Sequence, residues 1–230
     1  MTNAPHTSDE FNPLTTLDDF DNSNDFEYER RFYCRDFPVE LRNENPPALI
    51  VQSYFVHEDN FALRVRLQSS RVTVTMTPDT DALHTVEKWR GSFSRAFVTV
   101  KGPAVGGTRY EAERPIDPSV GIELVLRGGV PIVKNRYSVW LGSDGWSVDV
   151  FGGDNYPLIV AEAERSGPVT NLEIPQFCTT EITDDTRFSN DALAHAAFSE
   201  WQESFEKELG ANGPHFLQGF GHNRHMPHTS

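Results

Sequence analysis

Cysteine is scarce in this sequence, which has only Cys34 and Cys178 among 230 residues and no CxxC pair. Two isolated cysteines build neither a disulfide framework nor a thiolate zinc site, so a reducing compartment suits them. Long apolar runs are also missing, since no stretch approaches the roughly 20 apolar residues of a membrane helix, and the N-terminus lacks the pattern of a signal peptide. We therefore expect a cytoplasmic protein that is neither exported nor membrane-embedded.

Positive charge is the third deficit. The chain has 20 Lys and Arg residues against 34 Asp and Glu residues, which gives a formal net charge of -14. General nucleic-acid and anionic-membrane binders attract their partners through an excess of Lys and Arg, so neither partner is expected here. With 37% hydrophobic residues, the chain is long enough to bury one substantial core.

The composition changes twice along the chain. Residues 1–24 are rich in Asp, Asn, Thr and Ser with few large apolar side chains, which predicts a disordered acidic segment. Residues 25–209 are expected to form one domain that contains an insertion at 72–95. Residues 210–230 are rich in Gly, Pro, His and Asn, which is typical of a flexible tail. The regular spacing of His222, His225 and His228 in that tail fits adventitious metal binding better than catalysis.

Alternation of apolar and polar residues dominates the central domain. It predicts eight mostly antiparallel strands, bounded by Gly, Pro, Asn or Asp, over 26–33, 49–56, 61–68, 96–101, 109–115, 132–139, 146–151 and 158–164. Helices are predicted over 118–126 and, after a cap at Asn190 or Ser189, over 191–209. The insertion alternates like a strand near its start and could be helical over 79–89. The fold class is therefore mainly β, or α+β, with a few peripheral helices.

Charged residues repeat on one face of seven strands, opposite an apolar face. The cations on that face are Arg31, Arg64, Arg66, Lys101, Arg109, Lys134 and Arg136, and the anions are Glu27, Glu29, Glu111, Glu113, Asp149, Glu162 and Glu164. A solvated outer face with cross-strand ion pairs would explain any single strand. Repetition over seven strands favours the interior of a closed barrel, where charge is tolerated only when it is paired or bound to metal and ligand.

The charged face contains the groups that a metal-bound phosphate chain needs. The pairs Glu27 with Glu29 and Glu162 with Glu164 suit Mg²⁺ or Mn²⁺, which prefer oxygen ligands. Guanidinium groups grip phosphoryl oxygens bidentately, and no GxxxxGK[ST] loop is present to replace them. Lys134 and Tyr54 are candidates for a general base, because neighbouring cations are expected to lower the pKa of Lys134. Phosphate contact by Lys134 and simple packing by Tyr54 are the alternatives.

Nine short motifs occur in the order of a known superfamily. The first is Glu27-Tyr28-Glu29-Arg30-Arg31, which resembles an ExExK motif with Arg in place of Lys. The others are Gln52-Ser53-Tyr54, Leu63-Arg64-Val65-Arg66, Thr99-Val100-Lys101-Gly102, Arg109-Tyr110-Glu111-Ala112-Glu113, Lys134-Asn135-Arg136-Tyr137, Val148-Asp149-Val150-Phe151, Ala161-Glu162-Ala163-Glu164, and Glu181-Ile182-Thr183 with Arg187-Phe188-Ser189-Asn190. On these residues the chain resembles the CYTH superfamily, the triphosphate tunnel metalloenzymes.

The resemblance implies an eight-stranded antiparallel closed tunnel and a Mg²⁺- or Mn²⁺-dependent triphosphatase, for which inorganic tripolyphosphate is the favoured substrate over organic or nucleoside triphosphates. It also implies that Glu27, Glu29, Glu162 and Glu164 hold the metal with support from Glu111, Glu113 and Asp149, and that the seven cations bind phosphates. A class IV type adenylate cyclase and a non-catalytic polyphosphate-binding protein remain as alternatives. The expected partner is a small-molecule triphosphate or polyphosphate, and the expected assembly is a monomer or a homodimer.

Overall fold

The computed structural model describes residues 26–43, 46–58, 61–105 and 108–226, so the acidic segment 1–24 lies outside it. All eight predicted strands are present, with small shifts at their ends. They are β1 (Phe26–Tyr33), β2 (Ala48–Glu58), β3 (Phe61–Ser69), β4 (Arg95–Val105), β5 (Thr108–Ile116), β6 (Val130–Leu141), β7 (Asp144–Phe151) and β8 (Ile159–Arg165). The prediction of a mainly β protein with few helices is confirmed.

Three short strands complete the β structure: β9 (Glu173–Ile174), β10 (Thr180–Glu181) and β11 (Arg224–His225). The main sheet has nine strands in the order β10-β1-β5-β4-β3-β2-β6-β7-β8, and all of its neighbours are antiparallel. Strand β1 also pairs with β8, the strand at the other end of that order. In this pairing Glu29 lies opposite Glu164 and Arg31 lies opposite Glu162.

The helices are α1 (Ala82–Lys88), α2 (Pro118–Arg127), α3 (Asn190–His195) and α4 (Phe198–Asn212). The single helix predicted over 191–209 is therefore two helices. Asn155 explains the break, because its Oδ1 accepts a hydrogen bond from the Phe198 backbone N at 2.8 Å while its Nδ2 donates to the Leu193 carbonyl at 3.1 Å. Ser189 is the N-cap of α3, since its side chain accepts from the Ala192 backbone N.

The segment 72–95 contains helix α1, whose N-cap Asp81 accepts from the His84 backbone N. Residues 72–77 form no strand although Val72, Val74 and Met76 alternate with polar residues. These three side chains pack against a core cluster below α1 and α2 instead. Gly121 lets α2 approach the sheet, because a β-carbon there would lie 2.7 Å from the Ala96 β-carbon.

Apolar residues from the other face of the strands form three buried clusters under the helices and the C-terminal segment. The segment after α4 is part of this covering. Strand β11 pairs with β9, and Phe216 packs on the cluster that contains Trp146. The Gly, Pro and His-rich composition did not predict these contacts. His225 packs edge-on against Phe216, whereas His228 lies outside the described residues. None of the helices in the described part is long and apolar enough to cross a membrane.

Candidate active site

Residues of seven strands, β1 to β6 and β8, line one cavity of about 450 Å³, and all of these strands except β2 contribute charged side chains. Twelve of the predicted site residues lie on its wall: Glu29, Arg31, Tyr54, Arg64, Arg66, Lys101, Glu111, Glu113, Lys134, Arg136, Glu162 and Glu164. Asp149 lies behind the wall and is fully buried. The side chains of Glu27 and Arg109 are outside the described part, although their backbones pair across β1 and β5.

Asp149 holds two cations of the wall in place. Its carboxylate accepts hydrogen bonds from Lys134 Nζ at 2.6 Å and from Arg136 Nε and Nη2 at 2.7 Å and 2.6 Å. Arg136 Nη2 also reaches Glu162 at 2.7 Å, and Lys134 Nζ reaches Asn190 Oδ1 at 2.9 Å. Both oxygens of Asp149 are therefore occupied by cations.

Burial shifts the pKa values of the two candidate bases, Lys134 and Tyr54, in opposite directions. It lowers the pKa of Lys134 to about 8, although the charge of Asp149 partly offsets the shift. Burial raises the pKa of Tyr54, whose hydroxyl accepts a hydrogen bond from Gln52 Nε2 at 3.0 Å. Loss of a proton near neutral pH is thus easier for Lys134 than for Tyr54.

A second ionic cluster lies on β3, β4 and β5. Arg64 Nη2 donates to Glu111 at 3.2 Å, to Glu113 at 3.0 Å and to Thr99 Oγ1 at 3.0 Å. Arg66 Nη2 donates to the other oxygen of Glu113 at 2.7 Å. The carboxylates thus orient the two guanidinium groups, and Thr99 Oγ1 donates in turn to Glu113 at 2.9 Å.

Two guanidinium groups of the described wall, those of Arg31 and Arg66, are less fully saturated by hydrogen bonds. Lys101 forms an ion pair with Glu111. Arg31 Nε lies 3.4 Å from Glu29 Oε1, and its Nη2 donates to the Thr183 carbonyl at 3.2 Å. The Nε atoms of Arg31 and Arg66 are buried without a hydrogen-bond partner in the part of the chain that the structure describes. Buried donors of this kind are costly unless an acceptor reaches them, so these two groups suit an anionic ligand.

Two glutamates lie opposite each other where β1 pairs with β8. Glu29 and Glu164 are cross-strand partners on the cavity wall, and like charges in this position destabilise a sheet. A divalent cation between them would remove the repulsion. Within the described ranges no group of three or more His, Cys, Asp or Glu residues is arranged to hold a metal. Two carboxylates nevertheless fit Mg²⁺, which usually takes one or two from the protein and completes its shell with water and phosphate.

Several wall residues were not predicted as functional. Gln52 supports Tyr54, and Asn190 and Asp191 reach the cavity from the start of α3 together with Ser189. The capping signal at Ser189 and Asn190 was visible in the sequence, but it gave no indication that the helix begins at the cavity. Asn190 contacts Lys134 from 56 positions away. Such a contact follows from tertiary structure alone.

Comparison with known proteins gives the following matches. No protein-family model matches the chain. Over 111 residues, the chain is 31% identical to an inorganic triphosphatase of Acetivibrio thermocellus, and the match covers 47% of this chain and 71% of the relative. The crystal structure of the inorganic triphosphatase NE1496 has 26% identity and a TM-score of 0.47, covering 73% of this chain and 93% of that chain. HpAC1 from Hippeastrum, a proposed adenylyl cyclase described as having a dominant triphosphatase activity, has 14% identity and a TM-score of 0.39, with 61% and 80% covered.

Proposed function

Because the chain belongs to the CYTH superfamily of triphosphate tunnel metalloenzymes, we propose that it hydrolyses a triphosphate, inorganic tripolyphosphate above all, in the charged cavity. One observation carries the proposal. Seven described cations and five described carboxylates on β1, β3, β4, β5, β6 and β8 line a single cavity, and two of the guanidinium groups present buried Nε atoms that lack a hydrogen-bond partner within the described residues. A chain of phosphates supplies acceptors for these donors.

We further propose that the eight long strands close into a tunnel. The support is that β1 pairs with both β5 and β8, so that each of the eight strands has two neighbours. A closed barrel leaves no free strand edge and places alternate side chains inside, which agrees with the charged lining.

The metal of this site would be Mg²⁺ or Mn²⁺. Glu29 and Glu164 would hold it, with Glu162 beside them on the cavity wall. The superfamily resemblance adds Glu27, whose side chain lies outside the described residues. The ion supplies charge neutralisation on the phosphate oxygens. Asp149, whose two oxygens bind Lys134 and Arg136, acts in this account by positioning cations, although the superfamily resemblance places it in support of the metal.

The cations bind and orient the phosphates. Arg64 and Arg66 are fixed by Glu111 and Glu113, so they reach a substrate without first reorganising. Arg31, Lys101, Lys134 and Arg136 extend the same surface. The superfamily resemblance adds Arg109, whose side chain lies outside the described residues. Phosphoryl transfer depends mainly on positioning and on stabilising charge over the transferred group, which is what a rigid set of donors provides.

Lys134 is the favoured general base for the attacking water. Its lowered pKa of about 8 leaves a usable neutral fraction near physiological pH, and the neutral amine accepts the proton of the water. Tyr54, with its raised pKa, then serves to bind and orient the substrate.

We also propose a cytoplasmic location. Cys34 and Cys178 are free and buried, which supports a reducing compartment.

A substrate panel tests the function. Tripolyphosphate, ATP and thiamine triphosphate are incubated with the protein in Mg²⁺ or Mn²⁺, and products are separated by ion chromatography. We expect orthophosphate and pyrophosphate from tripolyphosphate, loss of turnover in Glu164→Gln, and full turnover in the control Glu200→Gln on the exposed surface of α4. Cyclic AMP as the main product would support the cyclase alternative instead. Tight polyphosphate binding without turnover in wild type and in Arg31→Lys alike would support a binding protein.

A further inference from the structure

The charged face of β6 ends in a tryptophan. Beyond Arg136, the residues in the same alternation are Ser138 and Trp140, and their cross-strand partners on β7 are Ser147 and Gly145. Trp140 is 78% exposed, more than any other large apolar side chain in the described part of the protein. It therefore lies at the end of the cavity wall and not on the apolar face that packs into the core.

Trp140 lines a second, open cavity of about 550 Å³. Small residues, Ser138, Gly145, Ser147 and Ser166, form much of its wall. Glu164 lines this cavity and the charged cavity alike, so the two spaces meet at the carboxylate where the metal is expected. The volume is within the range of ligand sites, roughly 300–1,000 Å³.

The indole of Trp140 is held in place on one side only. A β-carbon added to Gly145 would lie 3.8 Å from two ring atoms of Trp140, so the ring rests against the glycine backbone. The hairpin tip is anchored as well. Gly142 has φ 61° and lies so close to Glu173 that a β-carbon there would be 2.6 Å from its Oε2. The exposed part of the indole is therefore presented on a fixed support, which lowers the entropy cost of stacking.

We propose that Trp140 stacks against a planar aromatic ring attached to the triphosphate, so that the protein also takes organic triphosphates and selects them at this second cavity. The inference rests on the proposed function, which places the phosphates at Arg136 and its neighbours. Trp140 is four positions beyond Arg136 on the strand, or about 13 Å away at roughly 3.3 Å per residue. That span accommodates part of a phosphate chain and a sugar or similar linker over Ser138 and Ser147, whose hydroxyls offer hydrogen bonds.

A single exposed tryptophan needs no functional explanation on its own. Here it shares a strand face with Lys134 and Arg136, small residues line part of the cavity beside it, and that cavity adjoins the charged cavity through Glu164. Two kinds of planar ring could stack on Trp140. One is a neutral nucleobase. The other is a cationic ring such as the thiazolium of thiamine triphosphate, and Glu164 and the indole face would both attract that cation.

The test compares substrates in wild type, Trp140→Ala and Trp140→Phe. For each protein, kcat/KM is measured for ATP, GTP and thiamine triphosphate and divided by kcat/KM for tripolyphosphate. We expect the ratio for the stacked class to fall about 5- to 150-fold in Trp140→Ala, the size of loss seen when a stacking aromatic is removed, and to remain near wild type in Trp140→Phe. A loss confined to thiamine triphosphate assigns the cationic ring, and one confined to the nucleotides assigns the base. Unchanged ratios in Trp140→Ala overturn the inference.

A binding experiment separates this inference from the proposed hydrolysis. The affinity of the β,γ-imido analogue of ATP and of imido-substituted thiamine triphosphate is measured by calorimetry in the same variants, with Tyr110→Ala as an exposed aromatic control on the other face of β5. Weaker binding in Trp140→Ala with no hydrolysis of any substrate would preserve the stacking site and contradict the proposed function. Tripolyphosphate hydrolysis combined with no measurable affinity for either analogue would do the reverse.

Discussion

Two adjacent arginines of β1 show how differently one residue type serves the two faces of the sheet. Arg30 lies on the outer face and is fully buried, with its Nε and Nη2 bound to the two oxygens of Glu181 at 2.8 Å and 2.6 Å. Its Nη1 donates to Asn223 at 2.7 Å, and its guanidinium lies over the ring of Phe220. Every part of this group has a partner within the protein.

Arg31 lies on the cavity face, and its bonds are left incomplete. It is nearly as buried as Arg30, but its Nε has no hydrogen-bond partner among the described residues and its contact with Glu29 is 3.4 Å long. Burial therefore does not distinguish a structural charge from a functional one. The completeness of its hydrogen bonds does distinguish them, because a fully bonded cation stabilises the fold and a partly bonded cation is available to a ligand.

Removing Arg30 gives the largest expected change in stability. Arg30→Ala leaves the buried Glu181 without the cation that balances its charge, and we expect the free energy of unfolding to fall by about 3–5 kcal/mol. Chemical denaturation measures this loss, while turnover of the folded protein remains close to wild type. The double variant Arg30→Ala with Glu181→Ala should recover part of the stability, since it removes the unpaired charge. A stable but inactive Arg30→Ala would break the comparison.

Removing Arg31 is expected to damage activity instead. Arg31→Ala should lower kcat for tripolyphosphate by about 10²- to 10³-fold, the effect of deleting one preorganised donor to a developing charge. Its loss of stability should be smaller than that of Arg30→Ala. Arg31→Lys, which restores the residue usual in the superfamily, is the matched control and should retain most activity. Wild-type kinetics in Arg31→Ala would remove this residue from the site.

Lys134 is as buried as Arg30 but lies on the cavity face. It therefore allows a second test of whether a buried charge can be functional and not structural. As a general base it must be neutral, so kcat/KM should fall as the pH drops through its pKa of about 8 and level off above it. At pH 7, kcat/KM should be about tenfold below its value on the high-pH plateau. Asp149→Asn should shift the inflection to lower pH, since Asp149 raises this pKa. A flat profile would contradict the assignment.

Thr183 connects the two arginines and should give the smallest effect. Its Oγ1 accepts from the Arg31 backbone N at 3.1 Å and donates to Glu181 at 2.8 Å. Replacement by valine keeps the shape and removes both bonds. We expect a loss of about 1 kcal/mol in the free energy of unfolding. A change in kcat as large as that of Arg31→Ala would show that the two faces are coupled more closely than this account allows.

The sequence predicted the strands and the charged face because both depend on local alternation. It did not predict the role of Arg30, which lies in the apolar phase of β1. The partner of Arg30, Glu181, is 151 positions away in the sequence. The split between α3 and α4 was missed for the same reason, since Asn155 acts from another part of the chain. The sequence also did not predict the contacts of the C-terminal segment, because its few apolar residues, such as Phe216, pack on a surface that composition does not reveal.

A crystal structure with Mn²⁺ and imidotriphosphate is the decisive experiment, because the anomalous signal locates the metal. We expect Mn²⁺ between Glu29 and Glu164, with phosphate oxygens bound to Arg31, Arg64, Arg66 and Arg136. Mn²⁺ bound elsewhere, or phosphates bound outside the charged cavity, would contradict this expectation.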